Sequence, residues 1–465
     1  HSSMAGGEFV QQAGVGVGTN LDDLGTEDCI LVVGSDLHEE APILWLRIKQ
    51  AAARGAKLVV ANGRSTRLDA HATQVLRYRY GAAAHAVLGM LHAVSRQKDL
   101  AKYASDETQE AAELLSKAAN AIVFFGNEGM DYAASHALAQ ACASLLAATD
   151  HIGRANNGLA AVWPRSNTQG AWDMGVAPEP EGLSAALTGS KVAYIVAADP
   201  IGDDPALASV FAKTDFVVVQ DLFLTETAKA AHVVLPVQSF AEREGSYTNG
   251  MRRVQRFFPA VTAIAEARAD WEILAAVGRE LGFDHDRPSA AVLMADIAAA
   301  NADYSDITYA ALSNKAPQWP PVGGKDLYFG GTSYPNHQGL GVQLAPRAAG
   351  KKDVDFGWTT PPKLAGASNY MMVAITKLLD RGTTVMPSNV LATRLEPLRL
   401  LVNPIDAKRL KIPDGGQVEV QWDGGVHRMP ALVDKHAPKG FALLPRSLGV
   451  PLDAVATVKV RPVGR

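Results

Sequence analysis

Two cysteines in 465 residues, Cys29 and Cys142, exclude a disulfide framework and every CxxC metal or redox site, and they fit a reducing compartment. Cys29 lies in an apolar run and Cys142 in an alanine-rich stretch. Neither has the basic, polar surroundings that lower a thiol pKa, so both read as buried structural thiols. The twelve histidines are dispersed, with the nearest pair, His85 and His92, seven residues apart, so no HxxxH or HExxH zinc arrangement exists. A GxSxG nucleophile elbow is also missing. Charge of one sign is lacking too: 44 basic residues against 48 acidic give a net charge of -4, without the basic excess that nucleic acid or anionic lipid requires. The long apolar runs, such as Cys29 to Val33 and Val192 to Ala198, fall far short of the roughly 20 residues of a membrane helix, so no direct membrane insertion is expected. His1-Ser2-Ser3-Met4 has no signal-peptide character and reads as a truncation or tag boundary. Gly14-Val15-Gly16-Val17-Gly18 lacks GxGxxG spacing and reads as a flexible turn; Gly324-Lys325 is followed by Asp326 and fails the P-loop pattern.

What is present is an ordinary globular composition, 48% hydrophobic and 20% charged, long enough for two to four domains. The first half alternates β-rich apolar runs with alanine-rich stretches, the pattern of an α/β architecture with parallel sheets. The first unit reads as a strand at Ile30 to Gly34, a helix from about Glu39 to Arg54 stopped by Gly55, and a strand at Leu58 to Ala61. A third strand is expected at Ala121 to Phe125, followed by a helix around Ser135 to Ala148. Further strands are expected at Val192 to Ala198, Phe216 to Gln220 and His232 to Leu235. Between about Asn301 and Met386 periodicity fails, and Trp319, Tyr328, Phe329 and Tyr334 call for an ordered connection that buries them. Beyond Pro387, short strands at Gln417 to Trp422, Val426 to Val433 and Phe441 to Leu444, with turns at Asp414-Gly415-Gly416 and Asp423-Gly424-Gly425, indicate a small β-barrel-like domain. The expected division is 1–147 and 148–300 as two α/β domains, 301–386 as the connection, and 387–465 as the C-terminal domain.

Acids stand at the carboxyl ends of three expected strands: Asp36, Asp199 and Asp221. Open α/β sheets bind ligands just outside those ends, where a carboxylate accepts paired N–H bonds from a guanine edge or bonds a ribose hydroxyl. An Asp there also caps the following helix, and the sequence leaves both roles open. In Ala241 to Phe257, AEREGSYTNGMRRVQRF, Gly245 and Asn249 suit tight turns. Arg252, Arg253 and Arg256 stand ready either for phosphate or for ion pairs with Glu242 and Glu244.

Val217 to Pro236, VVVQDLFLTETAKAAHVVLP, followed by that segment, resembles the signature of the molybdopterin oxidoreductase superfamily. Asp221, Thr225 to Ala228, Pro236, Glu242, Gly245, Asn249, Arg253 and Gln255 match, and Ser246 replaces a Thr. Gly34 to Asp69, Asn167 to Gly175, Leu378 to Ser388 and Gly330 to Gly341 resemble, within it, the C-terminal region of the large iron–sulfur subunit of respiratory NADH-quinone oxidoreductase, complex I. Asn403 to Trp422 is similar to the superfamily's final barrel-like domain.

The resemblance implies doubly wound parallel sheets plus a small C-terminal β-barrel-like domain, acting as a non-catalytic scaffold beside an iron–sulfur domain. Implied partners are the NADH-binding and iron–sulfur subunits of the peripheral arm, on the cytoplasmic face of a bacterial inner membrane. It implies [2Fe-2S] and [4Fe-4S] clusters in the parent protein but none here, since each needs about four ligands, nearly all thiolates. Where catalytic relatives carry Asp-Pro-Arg, this chain has Asn62-Gly63-Arg64, so molybdopterin is not expected. Asp36, Asp199, Asp221, Glu242, Gly245, Asn249 and Arg253 would then line a vestigial pterin-dinucleotide cavity, with no catalytic residue and no metal ligand. The alternatives are a catalytic molybdopterin enzyme of formate dehydrogenase or nitrate reductase type, and a guanine-nucleotide-binding module.

Overall fold

Strands buried on both faces are apolar throughout, whereas half-buried ones alternate. Asp-Cys-Ile-Leu-Val-Val is of the first kind and forms β1 (Asp28–Val33), every residue of it buried. In this computed structural model, which describes residues 4–463 apart from 284–286, 314–340, 365, 367–369, 380–381, 383–384, 386, 447–449 and 453, β1 is the centre of a five-stranded parallel sheet. Its neighbours are β2 (Lys57–Asn62), β3 (Gln74–Arg77), β4 (Asn120–Phe125) and β5 (Gly158–Ala161), in the order β3-β2-β1-β4-β5. Two apolar clusters cover its faces: Val33, Val123, Leu138 and Cys142 belong to one, Ile30, Val60, Ile48 and Phe124 to the other. Both cysteines are fully buried, and burial pushes the Cys29 thiol up to about 12.

The expected single helix from Glu39 to Arg54 is two, Leu37–Glu40 and Pro42–Ala53. Pro42 disfavours the helical region for the residue before it, and Ala41 accordingly sits at φ -150°. The Gly14 to Gly18 segment is not a free turn. Gly14 bridges Leu159, Gly16 donates its N–H to Asn157 O, and a Cβ on Gly16 would lie 2.1 Å from Arg154 O, so glycine serves close backbone approach.

A second parallel sheet consists of β6 (Val192–Val196), β7 (Phe216–Asp221) and β8 (Val233–Pro236), in that order. A small antiparallel sheet follows, of β9 (Gly245–Thr248), β10 (Arg253–Phe257) and β11 (Val342–Gln343). The third large sheet contains β12 (Met371–Ile375), β13 (Leu400–Val402), β14 (Gln417–Trp422), β15 (Gly425–Val433), β16 (Phe441–Pro445), β17 (Val455–Thr457) and β18 (Lys459–Pro462). Its order is β17-β12-β16-β13-β15-β14-β18, a barrel-like sheet in which the chain-adjacent β17 and β18 occupy the two ends. Its apolar filling includes Met372, Leu400, Val418, Met429 and Leu444. The fold is the α/β arrangement of doubly wound sheets plus a C-terminal barrel-like module. Trp319, Tyr328, Phe329, Tyr334, Gly324 and Lys325 lie outside the described residues.

Candidate functional site

In the order β3-β2-β1-β4-β5 the chain winds outward through β2 and β3 and then returns to the other side of β1. This makes the β1/β4 boundary a topological switch point, where loops diverge and a ligand crevice is expected at the carboxyl ends. Here the loops are joined instead. Gly126 N–H donates to Val33 O at 2.9 Å and Glu128 N–H to Gly34 O at 2.9 Å, and a Cβ on Gly126 would lie 2.6 Å from Gly34 O.

Above this closure lies a buried ionic cluster. Arg64, delivered by the carboxyl end of β2, grips Glu128 through Nε to Oε1 at 2.8 Å and Nη2 to Oε2 at 2.7 Å. It also donates Nη1 to Asp36 Oδ2 at 2.9 Å. Tyr80 donates its hydroxyl to Glu128 Oε1 at 2.5 Å, and its ring packs on Gly63 and Gly129. Glu40 accepts from Ser35 Oγ at 3.0 Å and from Asp36 N–H at 3.2 Å, while Asn62 holds Ser35 O at 3.1 Å.

Two carboxyls, Asp36 and Glu128, thus share one guanidinium with a third, Glu40, beside them, and the electrostatics follow. Burial, then Glu128, pushes Glu40 up to about 8. Burial raises Asp36 as well, although Arg64 opposes it. For Arg64, burial favours deprotonation, but Glu128 and Asp36 more than compensate and hold the charge in place. Asp36 also accepts the His38 N–H as a helix N-cap, so its capping and ion-pair roles coexist. Sequence reasoning missed Glu40, Tyr80 and Glu128. A signal was available, because Gly126-Asn127-Glu128 after β4 repeats the pattern of Gly34-Ser35-Asp36 after β1.

At the second sheet, Asp199 is consumed by structure. Its Oδ1 accepts from Gly202 N–H at 3.2 Å, Thr227 N–H at 2.8 Å and Thr227 Oγ1 at 2.8 Å, capping the short helix Pro200–Asp203 and tying it to the helix Glu226–Lys229 that follows β7. Asp221 differs. Its Oδ1 accepts from the Leu222 and Phe223 N–H groups at 2.6 and 3.3 Å, and among the described residues nothing donates to Oδ2. The residue is 7% exposed, and burial raises its carboxyl against the two backbone bonds. Leu222, Phe223 and Leu224, which follow it in the chain, are 37%, 38% and 65% exposed, so apolar side chains reach the surface next to a carboxylate with one oxygen not engaged by the described residues.

The remaining candidates shape the antiparallel sheet. Glu242 accepts from Ser239 N–H at 2.7 Å and Ile264 N–H at 2.8 Å, bonds that hold its carboxyl low. Gly245 pairs with Phe257, whose ring would lie 2.8 Å from a Cβ there. Asn249 closes a turn by accepting from the Met251 and Arg253 N–H groups at 3.0 Å each. Arg253 opens β10, half-buried. Arg252 and Arg256 form ion pairs, with Asp173 and Asp303 and with Glu244 respectively.

A model of the family described as Molybdopterin oxidoreductase matches residues 5–280. The F420-dependent formate dehydrogenase subunit alpha of Methanocaldococcus jannaschii is 26% identical across 93% of this chain and 74% of its own length. Formate dehydrogenase H of Escherichia coli is 24% identical across 92% of this chain and 70% of its own. Acetylene hydratase from Pelobacter acetylenicus shares the fold with a TM-score of 0.69 at 14% identity, covering 98% of this chain and 80% of that one.

These findings correct two expectations. The complex I assignment gives way to relatives named as formate dehydrogenases. Two of the four stretches that carried it build framework. In Asn167 to Gly175, Asp173 accepts buried hydrogen bonds from Gln169 and Gln11, and Gly34 to Asp69 supplies the helices and the second strand of the first βαβ unit, while Leu378 to Ser388 lies partly outside the described residues. Gly330 to Gly341 lies outside the described residues save Gly341. Framework residues do not discriminate between branches of one fold. The expectation against molybdopterin falls with the same matches. It rested on Asn62-Gly63-Arg64, where Asn62 serves Ser35 O and Arg64 serves the ionic cluster, both structural tasks of the first sheet.

Proposed function

Because the chain belongs to the molybdopterin oxidoreductase family, we propose that it is the pterin-binding catalytic part of a formate dehydrogenase-like oxidoreductase. The observation that carries this reading is Asp221: a strand-end carboxylate with one oxygen open, framed by exposed Leu222, Phe223 and Leu224. The donor set fits the nucleotide end of a pterin dinucleotide. A guanine edge presents N–H donors, one of which the Asp221 Oδ2 can accept, and the exposed Phe223 ring supplies a stacking surface for the base. When bound, the cofactor supplies a two-electron redox centre. The work of this chain's own residues is to seat it: Asp221 fixes the base, the Leu222 and Phe223 N–H groups fix Asp221, and the apolar rim excludes water.

The test is the full-length protein made anaerobically with molybdate or tungstate. About one Mo or W per chain with extractable pterin, and formate-dependent reduction of a viologen dye releasing one CO2 and one proton per two electrons, are expected. A protein free of both metal and pterin overturns the proposal. Metal and pterin present without formate activity would keep the cofactor and replace the substrate.

A further inference from the structure

Parallel α/β sheets bind ligands outside the carboxyl ends of their strands. This chain has two such sheets, and their edges are built differently. Resting on the reading just given, we propose that the first sheet's seat is closed by the chain's own side chains, so that the protein holds one guanine nucleotide unit, at Asp221, and not two.

The two edges begin from the same backbone device. Gly34, the residue after β1, has φ +66° and donates its N–H to Ala61 O of β2; Ala197, the residue after β6, has φ +51° and donates to Gln220 O of β7. Beyond that shared turn they diverge. At the first edge the crevice between β1 and β4 is zipped by the Glu128 N–H bond to Gly34 O, and the space above it holds Arg64, Glu128, Asp36, Glu40 and the Tyr80 ring. Arg64 is the cation at this edge that would attract a pyrophosphate, and Glu128 and Asp36 already satisfy its side-chain nitrogens. An incoming phosphate would have to displace them and leave two carboxyls, beside Glu40, without their counter-ion in a buried place. Asn62, which follows Ala61 as Asp221 follows Gln220, is the first-sheet counterpart of Asp221; it is an amide, and it donates Nδ2 to Ser35 O at 3.1 Å and accepts the Arg64 N–H at 3.2 Å, so no carboxylate stands there for a base. At the second edge, among the described residues, no cation is paired with Asp221 and nothing donates to its Oδ2, and the neighbouring Leu222, Phe223 and Leu224 are apolar and exposed.

The test counts guanine. Acid release of GMP from the cofactor-loaded protein, set against chain concentration and pterin content, should give one GMP per chain. Calorimetric titration of cofactor-free protein with GDP should give one site, weakened at least tenfold by Asp221→Asn. Two GMP per chain, or a GDP site that Asp221→Asn leaves intact, overturns the single seat while the proposed function stands. No GMP with pterin present likewise overturns the nucleotide seat alone. No GMP and no pterin overturns both.

Discussion

Glu40 shows how a single carboxyl ties the first sheet's edge to solution pH. Its carboxyl faces Ser35 Oγ and the Asp36 N–H, with Glu128 as a like charge nearby, and is pushed up to about 8. Its folded pKa is therefore raised above the ordinary value, and the native state keeps a proton that the unfolded chain releases from about pH 4.5 upward. The stabilisation from that proton is full below about pH 4.5 and is lost as pH rises to about 8, by at most about 1.4 kcal/mol per pH unit. Glu40→Gln keeps the neutral form at every pH. Urea denaturation between pH 5 and 9 should show the variant equal to the parent or slightly weaker at pH 5 and more stable at pH 9; parallel curves would exclude the effect. Little of this could be read from the sequence. Asp36 and Asp221 were legible because strand-end position is a one-dimensional property. That Asp36 meets Arg64 and Glu128 while Asp221 stays open depends on which loops the sheet order brings together.

Among the elements, the strand-to-loop turns are where sequence and backbone disagree most usefully. An apolar run predicts that β1 continues to Gly34, yet it ends at Val33 because Gly34 is left-handed, and the same geometry recurs at Ala197 where no glycine marks it. A left-handed conformation costs a residue with a Cβ about 1–2 kcal/mol, so the two positions should respond in opposite directions. Gly34→Ala adds that strain and places a Cβ 3.0 Å from the Met130 methyl, so a loss of about 1–2 kcal/mol is expected. Ala197→Gly relieves strain against about 0.4–1 kcal/mol of added unfolded-state entropy, so a gain of up to about 1 kcal/mol is expected. Thermal unfolding of both variants checks the signs; a stabilised Gly34→Ala would show the turn to be unstrained. Short strands were illegible for a related reason. Gly158–Ala161 carries no β-branched residue, and its pairing with Ile122 to Phe125 makes it β5.

At the scale of the whole molecule, one arginine joins segments that are distant in the chain. Arg252 is fully buried and donates to Ala345 O at 3.0 Å, Gln11 O at 3.3 Å and Asp303 Oδ2 at 2.6 Å, with Asp173 Oδ2 at 3.5 Å. Tyr304 and Gln169 complete Asp173, and Arg347 reaches Asp303 from outside. The sequence offered Arg252, Arg253 and Arg256 as a cluster for phosphate or for ion pairs. For Arg252 the choice is made by partners 79 and 51 residues away, which no local pattern encodes. A buried charge whose partner is removed typically costs about 3–5 kcal/mol, because the survivors lose their counter-ion and stay desolvated. Arg252→Met should therefore lower unfolding stability by about that amount. Asp303→Asn should cost less, since Asp173 remains to neutralise the guanidinium and an amide oxygen still accepts its N–H. If Arg252→Met instead unfolds no more easily than the parent, the knot is dispensable, and apolar packing alone holds the N-terminal segment, β10 and the turn at Asp303 together.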